Sequence, residues 1–226
     1  AEEGTRAHEL AERMLRGEAA GGHADMMAHV DVYVDHVTSL GGQRHIEQRV
    51  KVNDVVYGTA DAVVWQDDTK HLHIVDLKYG AGVPVEVIGN LQLKIYALAT
   101  LLTFGYPAEQ VTATIVQPRC PHSDGPVRSV TFDVVDLLDF YADLEDAVSV
   151  VRDAQEHTPA TLADAGFLVP SEKGCRWCLA APKCPKLKSK AQELAKLVFA
   201  KDAPYDAREL AETLDYLAKF VPVRPG

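Results

Sequence analysis

The sequence has no apolar run long enough to cross a bilayer; the stretch Tyr96 to Phe104 is far too short and fits a buried or amphipathic helix. Nothing in it resembles a secretory leader, and it holds only four cysteines in 226 residues, which speaks against an extracellular disulfide scaffold. It also lacks the basic excess of a protein that coats nucleic acid: 33 acidic residues outnumber 23 basic ones, for a net charge of −10. What is present is 47% hydrophobic and 25% charged residues, the makeup of one globular domain with a sizeable core. A soluble, cytoplasmic protein with no membrane partner is expected.

Val55 to Trp65 and His71 to Lys78 each read as a β-strand, and the polar Gln66 to Lys70 between them reads as a turn. A hairpin symmetric about the Asp68–Thr69 bond sets Asp61 directly opposite Asp76. Residues two apart on a strand share a face, so Lys78 joins both carboxylates. Two neighbouring carboxylates make a hard oxygen site suited to Mg²⁺ or Mn²⁺. Such an ion can activate water and stabilise charge on a phosphodiester, while a lysine beside it neutralises the transition state. The chemistry expected is phosphodiester hydrolysis, although Asp76 and Lys78 alone read equally as a solvated charge pair on an edge strand. Glu47, on an expected Gln43 to Val52 strand, is a further acid, but a short Asn53-Asp54 turn would point it away from Asp61.

Four motifs, in this order, resemble those of RecB-type nucleases in the PD-(D/E)XK superfamily: Gly4-Thr-Arg-Ala-His8, Gly58-Thr-Ala-Asp61, Asp76-Leu-Lys78 and Gln92-Leu-Lys-Ile-Tyr96. Ala60 stands in place of the eponymous proline, and the second acid is Asp rather than Glu; either acid can ligate a divalent metal. The resemblance implies that His8, Asp61, Asp76 and the backbone carbonyl of Leu77 hold Mg²⁺ or Mn²⁺. It further implies that Lys78 assists the attacking water and that Gln92 and Tyr96 line the site and contact the DNA backbone or the metal-bound water network. Read apart from it, His8 is a surface histidine on the first turn of a helix that Thr5 could cap. Gln92 and Tyr96, four apart on an apolar helix, are then packing residues with polar tips.

Cys175-Arg-Trp-Cys178-Leu-Ala-Ala-Pro-Lys-Cys184 is a C-x2-C-x5-C array, and the remaining cysteine is Cys120. Three thiols so spaced can grip one soft metal centre, and four complete a cubane iron–sulfur cluster or a structural zinc; thiolate chemistry does not choose between them. The array is similar to the C-terminal cluster motif of RecB-type nucleases that carry a [4Fe–4S] cluster, which implies iron–sulfur, with zinc as the alternative. In those relatives the lone cysteine precedes the nuclease core, whereas Cys120 follows the Gln92/Tyr96 helix. Cys120 is assigned as the fourth ligand because it is the thiol left to complete the set.

Helices are expected near Thr5 to Gly17, Asp25 to Leu40, Val85 to Phe104, Val134 to Glu156, Lys186 to Phe199 and Asp206 to Phe220, with further strands at Gln110 to Gln117 and Arg128 to Asp133. This is a three-stranded meander with a crossover helix returning to the sheet. The expected fold is α/β: a PD-(D/E)XK, restriction-endonuclease-like core with a central mixed sheet flanked by helices, and a C-terminal helical iron–sulfur region. Residues 1–226 are read as one nuclease domain, with the core over 1–133 and the helical region over 134–226. Lys173, Arg176, Lys183, Lys186, Lys188 and Lys190 crowd the cysteines, and Arg6, Lys94 and Arg119 lie near the motifs, so a local basic stripe could track phosphates despite the acidic total. The expected activity is a metal-dependent, end-dependent DNA exonuclease acting on linear DNA, of a phage or mobile-element kind, with a single-strand annealing protein as a possible partner and the host cytoplasm as its place. The alternatives are a CRISPR-adaptation-type trimming nuclease and a non-catalytic, zinc-stabilised nucleic-acid-binding scaffold.

Overall fold

A computed structural model describes residues 2–18, 21–176 and 178–198. The chain divides into two compact units, Ala1–Val148 and Ser149–Gly226. The first opens with two helices, α1 (Glu2–Leu15) and α2 (Ala24–Ser39), followed by strands β1 (Gln43–Lys51), β2 (Tyr57–Gln66) and β3 (His71–Leu77). Helix α3 (Leu91–Phe104), strands β4 (Gln110–Val116) and β5 (Val127–Asp133), and helix α4 (Val134–Gln155) come next. The expected helix at Asp206 to Phe220 lies outside the described residues.

Five strands form one sheet in the order β1-β2-β3-β4-β5. The first three are an antiparallel meander, α3 crosses over, and β4 returns parallel to β3, with β5 antiparallel at the far edge. The protein is therefore a mixed α/β fold with a central sheet flanked by helices. β3 and β4, the parallel pair at the centre, are buried along nearly their whole length, as strands covered on both faces must be. On one face Ala62, Val64, Val75 and Leu77 pack with Ala7, Leu10, Val30 and Tyr33 of α1 and α2. On the other, Val63, Trp65, Leu72 and Ile74 pack with Ala97, Leu98 and Leu101 of α3. The alternation of apolar residues along β2 thus serves two helical layers.

Helix α3 starts at Leu91, six residues later than the apolar run from Val85 suggests. The Asn90 side chain caps it by accepting from the Leu93 N–H at 3.2 Å. The preceding segment is claimed by other partners. Gln117 Nε2 donates to the carbonyls of Gly80 and Val83 at 3.1 and 2.9 Å, and its Oε1 accepts from the Val85 N–H at 3.0 Å. Val87 still reaches the core, beside Leu93, Ala113 and Ile115, but from a loop. At its other end α3 stops at Gly105, whose φ of 63° is the left-handed conformation that suits glycine.

The second unit contains α5 (Pro159–Asp164), α6 (Glu172–Arg176), a 3₁₀ turn at Ala181–Lys183 and α7 (Pro185–Val198). Among the described residues no helix is long and apolar enough to cross a membrane.

Candidate metal centre

The β2–β3 hairpin has the register expected from its sequence. Ala62 pairs with Val75, Val63 with Ile74 and Gln66 with His71, a ladder centred on the Asp68–Thr69 bond. Its next step is Asp61 across from Asp76, and there the strands part. The Leu77 N–H, instead of bonding to the β2 backbone, donates to Asp61 Oδ2 at 2.7 Å. Lys78 then bonds through its own N–H to the Val116 carbonyl of β4 at 2.9 Å.

Asp61 also marks a slip in the inside–outside alternation of β2. Ala62 packs on the α1/α2 face, so strict alternation would carry Ala60 there too, yet Ala60 packs with the α3 cluster. The opposing strand is irregular at the same level: Glu47 adopts a φ of 50°, a left-handed conformation that costs a non-glycine residue about 1 kcal/mol or more. The consequence is that Asp61 turns toward α1, where His8 Nδ1 lies 3.5 Å from its Oδ1. Irregularities of this kind re-aim side chains beside functional sites.

Glu47 completes this group. His8, Glu47 and Asp61 each offer a ligand atom within 4.8 Å of the others. The expectation that Glu47 points away from Asp61 is corrected here. The β1–β2 connection is centred on residue Asp54 rather than on the Asn53–Asp54 bond: Ile46 pairs with Ala62 and Gln48 with Ala60, so Glu47 faces Asp61. Asn53 shapes the turn by accepting from the N–H groups of Val55 and Val56 at 2.9 and 2.8 Å. A one-residue change of register moves every side chain to the opposite face.

Asp76 and Lys78 form the second half of the site. Lys78 Nζ donates to Asp76 Oδ1 at 2.9 Å and lies 2.7 Å from Oδ2. Its hydrogen bond is directed at Oδ1, so Oδ2 is in ionic contact without a donor of its own. Asp76 is only 8% exposed; burial, reinforced by the charge of Asp61, raises its pKa above the ordinary carboxylate value. The Glu47 carboxyl is raised by the same two causes. The His8 imidazole is raised by its hydrogen bond to Asp61. Acids raised by burial and by a neighbouring carboxylate are what a bound cation would relieve.

The structure therefore brings together His8 and Asp61 as the motifs imply, adds Glu47, and sets Asp76 in contact with Lys78. Leu77 is engaged at Asp61 through its N–H. Gln92 and Tyr96 share one face of α3, and Tyr96 reaches β2: a Cβ placed on Gly58 would meet its hydroxyl at 2.9 Å, so the glycine gives the tyrosine a flat seat. Burial and the charges of Asp76 and Asp61 raise the Tyr96 phenol above its usual pKa. Beneath the centre lies Tyr33, buried, its hydroxyl 3.5 Å from the Val75 carbonyl; its place on an apolar helix face gave no signal of a site. Of the cations expected near the motifs, Arg119 pairs with Glu3 at 3.0 Å and lies over the Tyr79 ring, and Lys94 lies over Phe140. Arg6 is exposed.

Cys120 is buried in the first unit, whereas Cys175, Cys178 and Cys184 belong to the second; all four are free thiols. The trio follows a chain of tight turns, with the Cys178 N–H bonded to the Cys175 carbonyl, Ala181 to Cys178 and Cys184 to Ala181. Cys175 and Cys184 pack against Ala181 and Leu187. Among the described residues the Sγ atoms of the trio do not converge within 4.8 Å as the ligand atoms of His8, Glu47 and Asp61 do.

A solved structure described as "Crystal structure of SSO0001" is similar over 70% of this chain and 67% of that one, with 12% identity and a TM-score of 0.35. The family model described as "Protein of unknown function (DUF2800)" matches residues 1–221, and the chain belongs to that family.

Proposed function

We propose that this protein is a divalent-metal-dependent deoxyribonuclease of the RecB-type, PD-(D/E)XK kind, most simply an end-dependent exonuclease. The observation that carries the reading is the convergence of His8, Glu47 and Asp61 beside the Asp76–Lys78 pair at the parting of β2 and β3. Two carboxylates and an imidazole suit Mn²⁺ or Mg²⁺, and the raised pKa of Glu47, buried beside Asp61, fits a site that gains from a cation. When bound, the ion would polarise a phosphate oxygen and lower the pKa of a water.

The chain's own residues would do the rest. Asp61 is held at one oxygen by the Leu77 N–H, which fixes its carboxylate plane and leaves the other oxygen toward His8. Asp76 anchors the Lys78 ammonium where it can stabilise negative charge developing on a phosphate. Tyr96, seated on Gly58, and Gln92 one turn before it would contact the nucleic-acid backbone. In the second unit the proposed cofactor is a [4Fe–4S] cluster on Cys175, Cys178 and Cys184, with zinc as the other occupant that thiolates accept.

The test is cleavage of end-labelled linear DNA beside a closed circle, with Mn²⁺ or Mg²⁺, using anaerobically purified wild type and Lys78→Ala. Loss of the linear substrate alone, abolished by the substitution, supports the reading. Absence of metal-dependent cleavage by the folded, metal-loaded protein would sink it in favour of a binding scaffold.

A further inference from the structure

The exposed face of the β1–β2 hairpin leads directly away from the metal centre. Glu47 and Asp61 face each other across the ladder, and the same pairing continues through Arg49 opposite Thr59 and Lys51 opposite Tyr57. Along this stretch exposure alternates strictly: Arg49, Lys51, Tyr57 and Thr59 are exposed, while Val50 and Ala60 are buried against the α3 layer. One face therefore carries two acids at the site, then two cations, a hydroxyl and a tyrosine.

Tyr57 is 56% exposed, unusual for an aromatic ring in a strand with a core nearby. The Arg49 guanidinium lies over it, 4.4 Å from the ring centroid, as a cation–π pair. Among the described residues neither Arg49 nor Lys51 is in an ion pair, although the protein has a ten-charge acidic excess with which to pair them. Tyr57 and Asp61 are four residues apart, about 13 Å along a strand. At about 3.4 Å per stacked nucleotide this is at most four nucleotides.

We infer that Arg49, Lys51 and Tyr57 form a track for single-stranded DNA entering the metal centre, with Tyr57 stacking on a base and the two cations taking backbone phosphates. The inference rests on the nuclease reading and assigns its substrate class. An exposed ring beside unpaired cations suits a strand whose bases are free to stack, whereas the stacked bases of a duplex interior present no π-face to Tyr57. Arg49, already over the ring, holds Tyr57 in place and extends the platform.

The experiment is fluorescence anisotropy in EDTA, with a labelled oligothymidylate and a blunt duplex of the same length as separate probes. Tyr57→Ala should weaken oligothymidylate binding by about tenfold, Tyr57→Phe should restore it, and duplex binding should not change between variants. Each of Arg49→Ala and Lys51→Ala should reduce the slope of log affinity against log salt by about 0.7. Thermal melts confirm that each variant folds. Equal oligothymidylate affinity for wild type and Tyr57→Ala, or no single-strand binding by wild type, overturns the track. Because the readout is binding without metal, it separates from the cleavage test. A wild type that binds through Tyr57 but never cleaves keeps the track and loses the nuclease, and the reverse result does the opposite.

Discussion

Glu47 stands directly across the β1–β2 ladder from Asp61, in a left-handed backbone conformation with a φ of 50°. The two carboxylates lie within 4.8 Å of each other and of His8, so strain and charge repulsion are concentrated at one position. Local strain of this kind persists where the surroundings impose it, and it is a recurrent property of functional sites.

Glu47→Gly should therefore stabilise the metal-free protein by about 1 kcal/mol, because glycine adopts this φ without a Cβ penalty and no longer presents a carboxylate to Asp61. The same substitution should remove most of the stabilisation that Mn²⁺ gives the wild type. Thermal melts with and without Mn²⁺ check both halves. A variant less stable than wild type in EDTA, or one that still gains fully from Mn²⁺, would show that Glu47 is a structural residue.

The contrast between the two hairpins shows what a sequence can disclose. The Gln66 to Lys70 turn is polar and bounded by strong strand patterns, and the register it implies is observed from Gln66 and His71 to Ala62 and Val75, one step short of Asp61 and Asp76, where the ladder ends. Between Lys51 and Tyr57 the apolar Val52, Val55 and Val56 blur the strand ends, and the turn is set by the Asn53 side chain. A half-residue shift of its centre decides whether Glu47 faces Asp61. Local patterns also misplace the start of α3, because Val85 and Val87 are apolar for packing from a loop. The partners holding that loop, Gln117 and Arg128, lie far along the chain.

A second cluster of titratable groups sits away from the metal centre. His71 and His73 stack with ring centroids 4.0 Å apart, and His73 Nε2 donates to Gln66 Oε1 at 3.1 Å. Burial first, then the nearby His71 and His36, lower the His73 pKa from 6.5 to about 4. The folded state thus refuses a proton that the unfolded chain accepts. Stability from this group is complete above the unfolded value and is lost as pH falls through the window from 6.5 to about 4, by up to about 3 kcal/mol. Urea unfolding at neutral pH and at about pH 4.5 should show a smaller acid loss for His73→Phe than for wild type. Equal losses would remove His73 from the account of acid sensitivity.

Gln117 and Arg128 hold the connection between Lys78 and α3. Gln117 is almost fully buried, and its amide serves Gly80, Val83, Val85 and Arg128 at once, the last through an Nη2 bond of 2.9 Å. Arg128 is itself 4% exposed and donates to the carbonyls of Gly125 and Val85, with no carboxylate paired to it among the described residues. Gln117→Leu preserves bulk but takes one of three acceptors from the buried Arg128, which keeps the Gly125 and Val85 carbonyls, and removes the side-chain partners of the Val85 N–H and of the Gly80 and Val83 carbonyls. A lost partner costs about 1–3 kcal/mol where water cannot enter; Gly80 and Val83 are exposed, so the loss falls on Arg128 and the Val85 N–H, and a destabilisation of about 1–3 kcal/mol is expected if the loop stays in place. The loop can instead open to hydrate these groups, at the expense of the Val87 contacts and of the seat of α3. Limited proteolysis distinguishes the outcomes: faster cleavage between Gly80 and Asn90 at unchanged global stability means local opening, and with it a loss of the Gln92 and Tyr96 positions that cleavage of DNA would report. A variant with wild-type stability and wild-type protease resistance would mean that the amide network does not hold the loop.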